Sequence, residues 1–319
     1  MTAPRIRRPL RGRETNDFTA TVVGRTPLWV DARPDLDLGG HVRAGSSLVR
    51  GGGRLWIVQD DTLSIVRLDP RGPVVIPLPA GEAGARRFDD GRGNKRFKLD
   101  LEAAVVLDGT LVAWGSGSSA RREQLVLQPV RGEAAPRLFN GAALYAHLRD
   151  VPAFSGSELN LEGVVRRRQR LWLVQRGNGA PVGDRQPVDA LGALALPDVR
   201  AWLAGGPCPT LQVVVPLDLG TIDGVRLTPT DAAMIGGRLT LLCAAEDSPD
   251  AVRDGPVTGV AIAVVDRDGV RWARVRNPDG SAFCEKAEGI AAGGAGRVRL
   301  VTDADDPDVA SGLVEVVVG

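Results

Sequence analysis

Short apolar runs rich in Val, Leu and Ile follow one another along the chain, each ended by Gly, Pro or a polar pair, and this pattern predicts many short strands joined by tight turns. Five runs align: Arg54-Leu55-Trp56-Ile57-Val58, Thr110-Leu111-Val112-Ala113-Trp114, Arg170-Leu171-Trp172-Leu173-Val174, Arg238-Leu239-Thr240-Leu241-Leu242 and Arg297-Val298-Arg299-Leu300-Val301. Each follows a Gly-rich or polar turn preceded by another apolar strand, so each is the second half of a hairpin. Helical periodicity is confined to the stretches Gly141 to Arg149 and Val188 to Ala204, which are short and interrupted or bordered by Gly and Pro. The expectation is an all-β chain.

Counting back eight to ten residues from the second position of each run reaches Ser46, Glu102, Glu162, Asp231 and Glu288. An acid therefore opens the first strand of four hairpins, and a serine opens that of the remaining one. The anchors lie 56, 60, 69 and 57 residues apart, wide enough for four strands with long loops. Third and fourth strands are predicted at Leu63 to Leu68 and Val74 to Leu78, and again at Gly259 to Asp266 and Val270 to Arg276. The last unit ends one strand early, after Leu313 to Val318, while Phe18 to Gly24 is a strand without a unit. Pairing the two closes the ring and removes a free sheet edge. The predicted fold is a five-bladed β-propeller closed by an N-terminal strand, with a sixth, degenerate blade around Val188 to Trp202 left open. A basic flexible arm is expected over 1–17 and a single propeller domain over 18–319. A two-domain α/β enzyme, the rival, needs helices of ten or more residues between strands, and most gaps are too short.

Composition narrows the function classes. A formal net charge of +1 and 4% aromatic residues give no basic stripe with interleaved stacking residues, so no nucleic-acid partner is expected. No stretch approaches the roughly 18 apolar residues of a membrane span, and no apolar segment follows Arg7-Arg8 to make a secretory signal. The expectation is a soluble, cytoplasmic protein without a membrane partner. Cys208, Cys243 and Cys284 are widely spaced and form no CxxC, which points to free thiols. Only His41 and His147 are present, so a catalytic zinc site is not expected.

The first strand of every blade lines a propeller's channel, so Ser46, Glu102, Glu162, Asp231 and Glu288 are expected to converge there. Clustered carboxylates repel one another and are balanced by raised pKa values, basic neighbours or a cation. Glu102, Glu162, Asp231 and Glu288 are accordingly candidate metal ligands, and an all-oxygen set suits calcium before magnesium or manganese. The same acids could instead accept backbone amides of the next blade and lock blade to blade, and both readings stand. Lys98 and Lys286 lie at even offsets from Glu102 and Glu288 and share a strand face with them, as counter-ions or as groups holding an anionic ligand. The second strands end in polar turns on the same rim: Gln59-Asp60-Asp61, Gly115 to Ser119, Gln175-Arg176-Gly177-Asn178, Glu246-Asp247-Ser248 and Thr302 to Asp305. From these, Ser46, Ser116, Ser118, Arg122 and Arg176 join Lys98 and Lys286 as candidate ligand contacts. The Gly-Ser-Gly-Ser-Ser turn lacks the Gly-Lys-Ser/Thr ending of a phosphate-binding loop, and no nucleophile elbow or triad is apparent.

The segments Lys98-Leu99-Asp100-Leu101-Glu102-Ala103, Trp114 to Ser118 and Asn160-Leu161-Glu162-Gly163 resemble uncharacterised bacterial propellers related to phytase-like esterase propellers, which share an Asn/Asp-x-Glu-Gly element at the start of inner strands. The resemblance implies a propeller with a channel calcium and a phosphoesterase or esterase activity, with Glu102, Glu162, Asp231 and Glu288 at the acidic family position and Ser46 departing from it. The functional expectation is a divalent-cation-dependent hydrolase of a phosphoester, ester or lactone. The alternative is a non-catalytic propeller binding a small anionic ligand or a protein partner, its acids structural. No particular residue is predicted to be catalytic.

Overall fold

The computed structural model describes residues 3–247 and 255–319. Strands dominate and fall into antiparallel arrays of four. The first array is Gly45–Gly51, Arg54–Gln59, Ser64–Asp69 and Gly72–Pro77, and the second is Leu101–Leu107, Thr110–Gly115, Gln124–Pro129 and Arg137–Asn140. The third runs Leu161–Arg167, Arg170–Gln175, Asp189–Ala195 and Val213–Asp218; the fourth runs Val225–Ile235, Arg238–Glu246, Val257–Val265 and Val270–Arg276. Lys286–Gly294, Arg297–Asp303 and Gly312–Val318 make the fifth, and the N-terminal strand Ala20–Pro27 pairs antiparallel with Gly312–Val318 as its fourth member.

The turns explain why the hairpins form where they do. Gly52-Gly53, Asp108-Gly109 and Gly236-Gly237 all have positive φ at both positions, the geometry of the two-residue turn whose twist matches that of paired strands. The strands between them read as nearly continuous apolar runs because both faces are covered: every residue of Leu55–Gln59 is buried. Apolar clusters fill the space between neighbouring arrays. Trp56 and Ile65 of the first pack with Leu101, Ala113 and Val126 of the second, and Trp114 and Leu125 of the second pack with Leu171 and Leu194 of the third. Each such side chain contributes about 1.5–3 kcal/mol by leaving water. The first strands of successive arrays lie side by side, and the fifth lies beside the first.

Two expectations change. The stretch 188–204 is half strand and half helix: Asp189–Ala195 is the third strand of the third array, and the helix Leu196–Leu203, started by Pro197, buries Leu196, Val199 and Trp202. With Val213–Asp218 as fourth strand, its strand belongs to the third array. The predicted helix near 141–149 is present as Ala142–Arg149. The stretch expected as a flexible basic arm carries two strands instead. Arg5–Ile6 pairs in parallel with Val213 and Val214, and Leu10–Glu14 pairs first with Leu217 and Asp218 and then with Val270–Trp272. Met1 and Thr2 lie outside the described residues. The outermost strands of the third and fourth arrays thus have their free edges covered by the chain itself, a recognised protection against edge pairing. Gly12 permits this closeness, because a Cβ there would stand 2.7 Å from the Leu219 backbone.

Candidate functional site

All five first strands share one irregularity. Each hairpin has a bulge at its opening, and the residue left out of the pairing is Ser46, Glu102, Glu162, Thr230 or Glu288. A bulge re-aims the extra side chain away from the ladder, and here it separates the ring into two chemistries. Ser46 donates to the carbonyl of Leu101 at 2.5 Å and Thr230 donates to that of Ala287 at 2.8 Å, each clasping the opening of a neighbouring first strand. Glu102, Glu162 and Glu288 face a cavity of about 720 Å³.

The ring therefore differs from expectation at the fourth array, where the equivalent residue is Thr230 and not Asp231. Asp231 is 1% exposed and does not line the cavity. Its Oδ1 accepts the Ala232 N–H at 2.7 Å and its Oδ2 accepts the Ile290 N–H at 2.8 Å, with the Leu48 amide also bonded to it. This carboxylate ties three first strands together, the blade-locking role weighed from the sequence.

The cavity is lined mainly by polar residues, among them twelve carboxylates and seven basic side chains. At its floor Asp60, Asp100 and Glu102 each bring an oxygen within 4.8 Å of the others. Asp100 is locked: Lys98 Nζ stands 2.6 Å from its Oδ1, while Arg122 Nη1 at 2.9 Å and Ser116 Oγ at 2.5 Å meet its Oδ2. Lys98 also donates to Asp60. Glu102 has no hydrogen bond or ion pair among the described residues, and Asp60 Oδ1 is buried without a partner. These surroundings drive the two carboxyls of Asp100 and Glu102 apart. Burial opposes ionisation of Asp100, but Lys98 and Arg122 hold it below the ordinary carboxylate range. Burial, together with the charges of Asp100, Asp60 and Glu162, pushes Glu102 well above it.

The remaining predicted contacts divide. Ser118, Arg122, Arg176 and Lys286 line the cavity with Ser46 and Lys98, whereas Ser116 is fully buried beneath it. Ser118 accepts from Arg122 Nη1 at 2.8 Å. Arg176, 4% exposed, bonds Thr228 Oγ1 at 3.1 Å and Glu246 at 2.7 Å and lies 3.5 Å from Glu162, so it is a strut between the third and fourth arrays. Glu162 is nonetheless raised by burial, which outweighs Arg176. Lys286 stands 2.7 Å from Asp305 and 3.9 Å from Glu288. Burial raises Glu288 well above its ordinary value, against Arg176 and Lys286, and its Oε2 has no partner. The counter-ion reading of Lys98 and Lys286 thus describes their contacts. Ser248, part of one predicted rim turn, lies outside the described residues.

A calcium ion, implied by the resemblance, finds hard oxygen donors at Asp60, Asp100 and Glu102, but the fit is poor. The Lys98 ammonium already stands on two of these three carboxylates, and both Asp100 oxygens are taken. Glu162 and Glu288 are outside this cluster, and Asp231 faces away from the cavity. Sequence reasoning missed Asp60 and Asp100 as floor residues. Asp60 stood in a turn already placed on this rim, and Asp100 two residues before Glu102, so the signal was present in the alternation.

Residues 41–318 match the family described as "Family of unknown function (DUF6929)", and the chain belongs to it. No curated protein matches. Among solved structures, an exo-1,5-α-L-arabinanase from a bovine ruminal metagenomic library is similar at 10% identity and a TM-score of 0.42, over 86% of this chain and 92% of that one. The N-terminal domain of Nup159 is similar at 8% and 0.34, over 99% and 100%, and YCF48 bound to D1 peptide at 11% and 0.34, over 97% of each. At these scores the all-β fold rests on the strand pairing of the chain itself. A family of unknown function lends no support to the relation with phytase-like esterase propellers.

Proposed function

We propose that the chain is a five-bladed propeller closed by Ala20–Pro27, and that the cavity at its channel mouth hydrolyses a small, uncharged polar ligand with Glu102 as the proton donor. The observation that carries this reading is the pairing at the floor: an unpartnered Glu102 carboxyl facing the cavity, with an oxygen within 4.8 Å of one on the locked Asp100. Two carboxyls whose surroundings separate their protonation states are the arrangement acid catalysis requires. Glu102 protonates the departing oxygen, and Asp100, fixed by Lys98, Arg122 and Ser116, keeps a negative charge beside positive charge developing on the substrate.

The excess of carboxylates narrows the expected substrates. An anionic phosphoester entering this cavity meets twelve carboxylates against seven basic side chains, six of them already in ion pairs and only Arg96 without one among the described residues, whereas an ester, lactone or other neutral ligand is not repelled. The poor fit for calcium gives no step to a divalent ion. Hydrolysis of a panel of neutral esters, lactones and glycosides by the wild type, lost in Glu102→Gln with melting unchanged, is the expected result. Equal turnover by Glu102→Gln sinks the proposal. The second reading, a binder without chemistry, is favoured if a panel member binds and is never turned over.

A further inference from the structure

Outside the floor, the most unusual feature of this rim is aromatic. Trp29 is 60% exposed, while Trp56, Trp114, Trp202 and Trp272 are buried and Trp172 is mostly so. It is held in place: Trp29 bridges His41 in a short antiparallel pair, and the two rings meet edge to face at 5.9 Å. The His41 ring in turn lies 3.0 Å from the carbonyl of Pro307, through its Nε2, and Pro307 lines the cavity. Two residues beyond His41, Arg43 is itself part of the cavity wall, anchored on Asp61 at 2.9 Å and Asp89 at 3.3 Å. An oriented, solvent-facing indole therefore stands one side chain outside a deep polar cavity.

We propose that the ligand is a glycoside and that Trp29 is an outer platform on which one of its sugar rings lies. This deepens, and rests on, the reading of the cavity as a hydrolytic site for a neutral polar ligand. A pyranose or furanose unit has hydroxyl edges and a C–H face. The edges suit a wall of carboxylates, guanidinium groups and serines, and the face suits a flat ring that is apolar in its body and wet at its margin. A cavity of about 720 Å³ is within the range that encloses ligands of this size, and a unit of a longer oligosaccharide that reaches past it finds Trp29 as its outer platform. An anion, which the carboxylates repel, does not use both features. The chemistry then has a definite form. Glu102 gives its proton to the glycosidic oxygen as the bond from that oxygen to the anomeric carbon breaks. The oxygen of a water molecule bonds to that carbon and releases a proton that restores Glu102.

The test is titration of wild type, Glu102→Gln, Trp29→Ala and Trp29→Phe with xylo-, arabino- and cello-oligosaccharides of two to four units, followed by tryptophan emission and calorimetry. The expected result is a change in emission on binding one of these series in wild type and Glu102→Gln, with calorimetric affinity at least fivefold weaker in Trp29→Ala and partly recovered in Trp29→Phe. Affinity unchanged in Trp29→Ala overturns the platform. Hydrolysis of neutral esters with no oligosaccharide bound by either Glu102 form, or binding of choline or spermidine in place of sugars, overturns the glycoside assignment and leaves the cavity reading intact. Oligosaccharides bound through Trp29 yet never cleaved by the wild type uphold the platform and the ligand class and sink the hydrolytic reading.

Discussion

Replacing Asp231 by alanine removes the acceptor for the Ala232 and Ile290 amides, bonded at 2.7 and 2.8 Å, and for the Leu48 amide. The site is 1% exposed, so water does not readily take the carboxylate's place. Each buried N–H left unpaired costs about 1–3 kcal/mol, while removing a buried carboxyl relieves part of its own desolvation cost. A net loss of roughly 3–5 kcal/mol follows from these opposing contributions. With an unfolding entropy of about 2 cal/mol/K per residue, a chain of this length melts roughly 5–8 °C lower. Asp231→Asn keeps one acceptor oxygen and turns an amide group toward the other N–H, so about half of the loss is expected. Differential scanning calorimetry of both variants at neutral pH measures this directly. Melting within a degree of wild type in both would falsify the idea that Asp231 clasps the first strands.

Other expectations separate the cavity from the scaffold. Glu102→Gln should melt no lower than wild type, because it removes a carboxyl that burial and its neighbours already disfavour; a drop of several degrees, measured in the same calorimeter, would argue for a structural role. Asp61, raised to about 6 by burial and the charge of Asp60 against the pull of Arg43, keeps its proton in the fold at pH values where the unfolded chain has lost it. Stability therefore falls as pH rises from about 4 to 6, by up to roughly 3 kcal/mol. Asp61→Asn should flatten that part of the profile in urea unfolding, and an unaltered slope refutes the assignment. Lys98→Ala should acquire a calcium-dependent rise in melting temperature larger than that of wild type, since the ammonium on Asp60 and Asp100 is gone; equal shifts would show that Lys98 does not obstruct an ion. Gly12→Val should lower the melting temperature by expelling the arm from Leu219, and protease cleavage within 5–14 should accelerate.

The strand scaffold was legible because both signals behind it are local: apolar runs of strand length, and Gly-Gly or Asp-Gly turns that fix hairpin register. The pairing of the N-terminal strand with Gly312–Val318 was legible from counting a missing strand against a spare one. The ring was legible at Glu102, Glu162 and Glu288 but misplaced at the fourth array. A constant count of nine from the second strand reaches Thr230, but a count that varies from eight to ten selects Asp231 at eight by its charge; the ten at Glu288 comes from a second irregularity at Ala292/Gly294. Asp60 was legible as part of a turn on the acids' rim, while its approach to Asp100 and Glu102 comes from tertiary placement. The arm over 1–17 read as disordered because its strands pair in parallel with outer edges far along the chain, leaving no local hairpin pattern. Trp29 carried no repeat signature, and its meaning comes from the cavity beside it.

The pairing of Ala20–Pro27 with Gly312–Val318 also sets an order of events during synthesis. The segment made earlier must wait for a partner made about 290 residues later. Bringing such distant segments together costs roughly 5 kcal/mol beyond a fixed term in chain entropy. Until then, the fifth array has a bare edge and the strand that will cover it carries Val22 and Val23 unpaired. The nascent chain thus passes through a stage in which an open edge and its matching strand coexist, and two neighbouring chains on one message could exchange these strands before either pairing forms.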